Sequence, residues 1–233
     1  CGDNYKITPE QIWGIYIDEL VKNVSLQEVY SVVRKFDEGS KFFQLVEQHC
    51  IKQVVDKIQQ EISASKLDKN ESPEAHFIAG KTLVENTKGL IEIIRNDLDS
   101  SNVLLQSACD DLATQILQCG INFYNGSGDP FEANKAMQLQ EYAENIAVGK
   151  LVKDRCKRNT DILRKIISEL PPVEINEEWR EIQKYLQKKK KQGDTADTSL
   201  NIIKLCAPIL LKAKERLGAS NTGYIQRSTV VAN

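Results

Sequence analysis

Apolar residues return along this chain every three or four positions, the spacing of one face of an α-helix. The clearest row is Leu112, Ile116, Cys119 and Phe123, with Leu117, Gly120 and Tyr124 beside it. So wide a stripe suits burial against more than one neighbour. Asn125-Gly126-Ser127-Gly128 breaks the pattern, because Asn and Gly tolerate the positive φ of a helix end. Asp129 is then placed to accept hydrogen bonds from the free N–H groups of a second helix. Pro130 takes that helix's first position, where a missing N–H costs nothing. Ala133, Ala136, Leu139, Ala143 and Ala147 give the second helix small residues, so the two backbones are expected to lie close.

The rest of the chain reads as more helices of this kind. Thr8-Pro9-Glu10-Gln11 is a helix start with Gln11 able to reach back, and Ile12, Ile15, Tyr16 and Leu20 are its expected apolar face. Ser25-Leu26-Gln27-Glu28 opens a short helix that Gly39 ends. A long helix follows through Phe42, Val46, Ile51, Val54, Ile58 and Ile62. Ala64 to Glu71 is polar and reads as a loop, and Ser72-Pro73-Glu74 starts a helix to about Leu98. After Gly149 a helix continues through Leu151, Cys156, Ile162, Leu163 and Ile166 until Leu170-Pro171-Pro172 stops it. Asn176 starts a helix with Trp179, Ile182, Tyr185 and Leu186. Thr195 to Leu217 forms another that contains Pro208, and Tyr224 to Asn233 begins one more.

The central hairpin resembles a tetratricopeptide-type repeat. Gly120 and Phe123 stand where that motif has its glycine and aromatic, and Ala136 and Ala143 match its second-helix small positions if the turn carries about four extra residues. Cys119, Gln140 and Val148 depart from it. A second echo links three polar turns, Phe36 to Gln44, Leu98 to Gln106 and Leu217 to Gln226. Gln44 and Gln106 lie 62 residues apart, and Gln106 and Gln226 lie 120 apart. The resemblance implies an all-α fold of stacked antiparallel helical hairpins, as a tetratricopeptide-like α-solenoid or a helical bundle. One helical-repeat domain is expected over residues 1–233, with any sub-boundary near 171–176. The uncapped end at Asn233 suggests a longer chain.

Composition sharpens this picture only slightly. The 233 residues are 41% hydrophobic and 27% charged, which is ordinary for a water-soluble chain with a sizeable core. Net charge −2 argues against a dedicated nucleic-acid binder. No run of 18 apolar residues occurs, so no membrane span is expected and the chain is placed in the cytoplasm. The Cys1-Gly2 start reads first as a cut in a longer chain, and alternatively as the acylated end of a lipid-anchored lipoprotein. Cysteines 1, 50, 109, 119, 156 and 206 are scattered, mostly on apolar helix faces, as free thiols of a core would be.

Chemistry-bearing patterns are few. His49 and Cys50 are consecutive on a helix and diverge by about 100°, and His76 is expected at the surface. No C-x-x-C or H-E-x-x-H occurs, so no catalytic residue, metal or cofactor is assigned. Gly80-Lys81-Thr82 resembles the end of a phosphate loop but lies inside an expected helix, where the backbone N–H groups are already used. The expected role is therefore a non-catalytic scaffold that binds another protein or peptide. Its binding surface is sought at Asn134, Gln138, Glu141 and Asn145, polar positions without an obvious core role. The alternative is nucleic-acid or anionic-surface binding through Lys188, Lys189, Lys190 and Lys191, cations that a helix C-terminus also favours.

Overall fold

The computed structural model describes residues 8, 11–12, 14–17, 19, 28–29, 41–96, 98, 101–171, 173–192 and 195–218. Every regular element among them is a helix. The chain divides into two compact units, Cys1–Ile166 and Ile167–Asn233. The boundary falls in the last turns of a helix, just before the expected 171–176.

In the first unit, α1 (Lys41–Ala64) precedes α2 (Pro73–Asn96), α3 (Val103–Ser127), α4 (Ala133–Ile146) and α5 (Lys150–Ser168). Ser72 Oγ accepts from Ala75 N–H at 3.2 Å, so α2 begins where the Ser-Pro-Glu signal sets it. Asn102 caps α3 by accepting from Leu104 N–H at 2.9 Å. Asn125, Gly126 and Ser127 stay helical, and the break falls on Gly128 alone, at φ 62°. Asp129 accepts from Phe131 N–H at 2.9 Å. Pro130 opens a single 3₁₀ turn (Pro130–Glu132) rather than α4 itself.

Close backbone approach organises the packing of α2, α3 and α4. A Cβ added to Gly80 of α2 would stand 2.9 Å from both Cys119 Cβ and Leu139 Cδ1. One added to Gly120 of α3 would meet Gln140 Cγ at 3.3 Å and Ala136 O at 3.5 Å. Ala133, Ala136 and Ala143 of α4 are fully buried, as their size suggested. Leu83, Leu105, Leu112, Ile116, Leu117 and Phe123 fill the space around this seam. Phe77 stacks at a tilt on Phe123, with ring centroids 5.0 Å apart. From α1, Val46, Val54 and Ile58 complete the core, while Gln59 Nε2 donates to Asp111 Oδ2 at 2.9 Å.

The second unit holds α6 (Asn176–Gln192), preceded by a 3₁₀ turn (Val173–Ile175), and α7 (Ala196–Leu217). Thr195 and Thr198 form a reciprocal capping box that starts α7, and Pro208 lies inside that helix. Ile175, Trp179 and Ile182 are buried, as are Ile202, Cys206, Ile209 and Ala213. Arg216 Nη1 reaches the Glu174 carbonyl at 3.0 Å and the buried Glu178 carboxylate at 3.1 Å.

Three expectations need correction. Thr8 and Gln11 do bond reciprocally, but Ile12, Ile15 and Tyr16 are exposed and Ile17 is buried instead. Apolar residues surround that stretch, so spacing alone could not choose its packed side. Leu151 and Ile162 of α5 are exposed, because Cys156, Thr160 and Leu163 form its buried stripe. His76 is 3% exposed rather than at the surface, since it shares the α2 stripe with Gly80 and Leu83. The turns at 36–44 and 217–226 and the helix from Tyr224 lie wholly or largely outside the described residues, as does the Ser25 helix start.

Two glycines of α2 make a controlled comparison. Gly80→Ala should destabilise the fold by about 1–2 kcal/mol, because overpacking at a rigid Cβ exceeds the helix-propensity gain. Gly89→Ala, with nothing within 4 Å, should stabilise it by about 0.5–1 kcal/mol. Denaturant unfolding of both variants reads the opposite signs.

Candidate functional site

Asn134, Gln138, Glu141 and Asn145 recur at helical spacing along α4 and all four are exposed, away from the buried alanine face. Two of them tie α4 to its neighbours. Glu141 receives Arg164 Nη2 of α5 at 3.4 Å. Asn145 receives Arg95 Nη2 of α2 at 3.0 Å, at both its carbonyl and its side-chain oxygen.

Asn145 also stands at a small cleft of about 120 Å³ where α2, α3 and the end of α4 meet. Ile91, Ile94 and Arg95 line it from α2. Leu105, Gln106 and Cys109 come from α3, and Asn145, Ile146, Ala147 and Val148 close it. Burial pushes the Cys109 thiol up to about 11, with the Asp110 charge adding to the shift and the Arg95 charge opposing it. Burial also raises Tyr142, again opposed by Arg95.

The cleft wall at Val148 is held by one carboxylate. Asp110 Oδ1 accepts from Val148 N–H at 2.8 Å and Gly149 N–H at 2.9 Å, while Oδ2 accepts from Gly149 N–H at 3.0 Å. Asp110 thus fixes the turn that leads into α5, placing negative charge near that helix's positive end. A side chain at position 149 would meet this carboxylate and displace it from the two N–H groups. Val103 (75% exposed), Leu104, Val148 and Leu151 (86% exposed) flank the lining residues in sequence and face solvent.

The cleft was not found by sequence reasoning, but a signal existed. Val103-Leu104-Leu105 puts three consecutive apolar residues about 100° apart on one turn, so they cannot share a single buried face. Only Leu105 is buried.

Elsewhere, Lys188 is exposed near the end of α6, and Lys189, Lys190 and Lys191 continue that helix, with side chains outside the described set. Gly80 lies mid-helix in α2, which leaves no cradle of free N–H groups at Gly80-Lys81-Thr82. Cys50, Cys109, Cys119, Cys156 and Cys206 are buried free thiols. Burial is the main cause that raises each, and Cys50 and Cys119 also reach about 11. Among the described residues no group of three His, Cys, Asp or Glu side chains is placed to hold a metal, and no helix is long and apolar enough to cross a membrane. No family model, no curated protein and no solved structure matches the chain.

Asp110→Ala should cost about 1–3 kcal/mol, the range for losing hydrogen bonds to a charged group, and amide exchange should quicken first at Val148, Gly149 and the start of α5. A second expectation follows from the thiols. An unfolded thiol ionises near 9.0, whereas Cys50, Cys109 and Cys119 hold their protons to about 11. Their contribution is complete below pH 9 and is lost as pH rises from 9 to 11. The denaturation midpoint should fall across that window, and fall less once all three are replaced by alanine.

Proposed function

We propose that this chain is a non-catalytic helical scaffold that binds another protein through the exposed side of the α3–α4 hairpin. One observation carries the reading. The exposed polar row of α4 ends, at Asn145, beside an apolar cleft that Val148 also lines, and Val103, Leu104 and Leu151 are exposed close to its lining residues in sequence. An apolar cleft with polar groups at its rim is a common feature of a protein-binding face. The tetratricopeptide-like reading of this hairpin is part of the same proposal. The close approach of Gly120 to the Ala136 carbonyl supports it, being the small-residue contact that such a pair needs. Buried, proton-holding thiols give the cysteines the part of core residues rather than nucleophiles.

The test uses the intact chain and a double variant, Val103→Asp with Leu151→Asp. Both side chains are exposed, so folding should be retained, which circular dichroism checks. Wild type should retain a stoichiometric protein partner from the source lysate at moderate salt, and the variant should lose it. Capture of nucleic acid alone, only at low salt and abolished by Lys188→Ala through Lys191→Ala, would overturn the reading in favour of electrostatic binding.

A further inference from the structure

The cleft beside Asn145 has a definite size and one charge. Cavities of roughly 150 Å³ accept a benzene-sized apolar group, so about 120 Å³ fits a single branched aliphatic side chain. Ile91, Ile94, Leu105 and Ile146 supply its apolar walls. Arg95 is fixed at the edge by two hydrogen bonds from one nitrogen, Nη2, to Asn145. Among the described residues, Nε and Nη1 of Arg95 make no hydrogen bond and the guanidinium has no carboxylate partner. The nearby carboxylate of Asp110 is already committed to the α5 N-terminus. A guanidinium held in place with its other N–H groups available is suited to a carboxylate.

Resting on the scaffold reading, we infer that the cleft takes a peptide segment of the partner in which a leucine-like side chain is followed closely by a carboxylate. The aliphatic group enters between α2, α3 and the end of α4, and the carboxylate meets Arg95 at the mouth. The pairing makes recognition depend on two adjacent features instead of on apolar surface alone.

The test titrates the full chain with three blocked dipeptides, N-acetyl-Leu-Glu-amide, N-acetyl-Leu-Gln-amide and N-acetyl-Ser-Glu-amide, followed by amide NMR shifts. Leu-Glu should shift the amides of Arg95, Gln106, Cys109 and Val148 and saturate at millimolar concentration. Leu-Gln should bind about three- to fivefold more weakly, the scale of one solvent-exposed ion pair. Ser-Glu should leave the cleft unmoved. Arg95→Gln, with its fold checked by the unshifted amides of α1, should make Leu-Glu and Leu-Gln equal. A preference for Glu that survives Arg95→Gln, or shifts confined to other surfaces, would overturn the inference. If no dipeptide moves the cleft while the lysate partner is still lost on mutating Val103 and Leu151, this inference fails and the scaffold reading stands. Loss of neither partner nor peptide binding in the respective variants would remove both.

Discussion

The first unit depends on three helices being allowed to touch almost backbone to backbone. Gly80, Gly120, Ala136 and Ala143 remove the side chains that would hold α2, α3 and α4 apart. At the densities of protein interiors such a seam tolerates few alternatives, because a single methyl group has nowhere to go. The seam also has an end. Towards Arg95 and Asn145 its small residues give way to Ile91, Ile94, Leu105 and Ile146, and there a cleft remains. Position and size of the candidate site therefore follow from where the small-residue pattern stops.

Much of the architecture was legible because helix signals are local. Pro73, Gly128, Asp129 and Thr195 act within a turn of themselves, although the break falls on Gly128 alone and Asp129 caps a 3₁₀ turn ahead of α4. Small residues at 133, 136 and 143 announced close packing for the same reason. What stayed hidden is longer in range. His76 looked like a surface residue, and its burial depends on which side of α2 meets α3. The Asp110 contact spans 38 residues to Val148, and no spacing rule anticipates it. Asn134, Gln138, Glu141 and Asn145 do share an exposed face, but the cleft beside the last of them needs residues from three helices.

The second unit is built from different contacts. Its hairpin joins α6 and α7 through Trp179, Ile182, Ile202, Cys206 and Ile209, and closes on the ion pair of Arg216 with buried Glu178. Removing Arg216 from such a pair would leave a carboxylate without compensation in a dry place, which costs more than the intact pair is worth. The lysine run lies at the opposite end of α6 in sequence from Glu178.

The helix α5 sits on the first unit by means unlike those of the inner seam. It buries only Cys156, Thr160 and Leu163, and its other ties are the Asp110 contact, Arg155 to Gln118 and Arg164 to Glu141. Salt weakens such exposed ties, screening charge over about 8–10 Å at 0.1–0.15 M ionic strength. Sulfate and similar ions strengthen apolar burial instead. The unit is thus held by two kinds of cohesion that respond oppositely to the surrounding electrolyte. Salt therefore acts on the seating of α5 and on the inner seam in different directions, and the choice of anion separates the two.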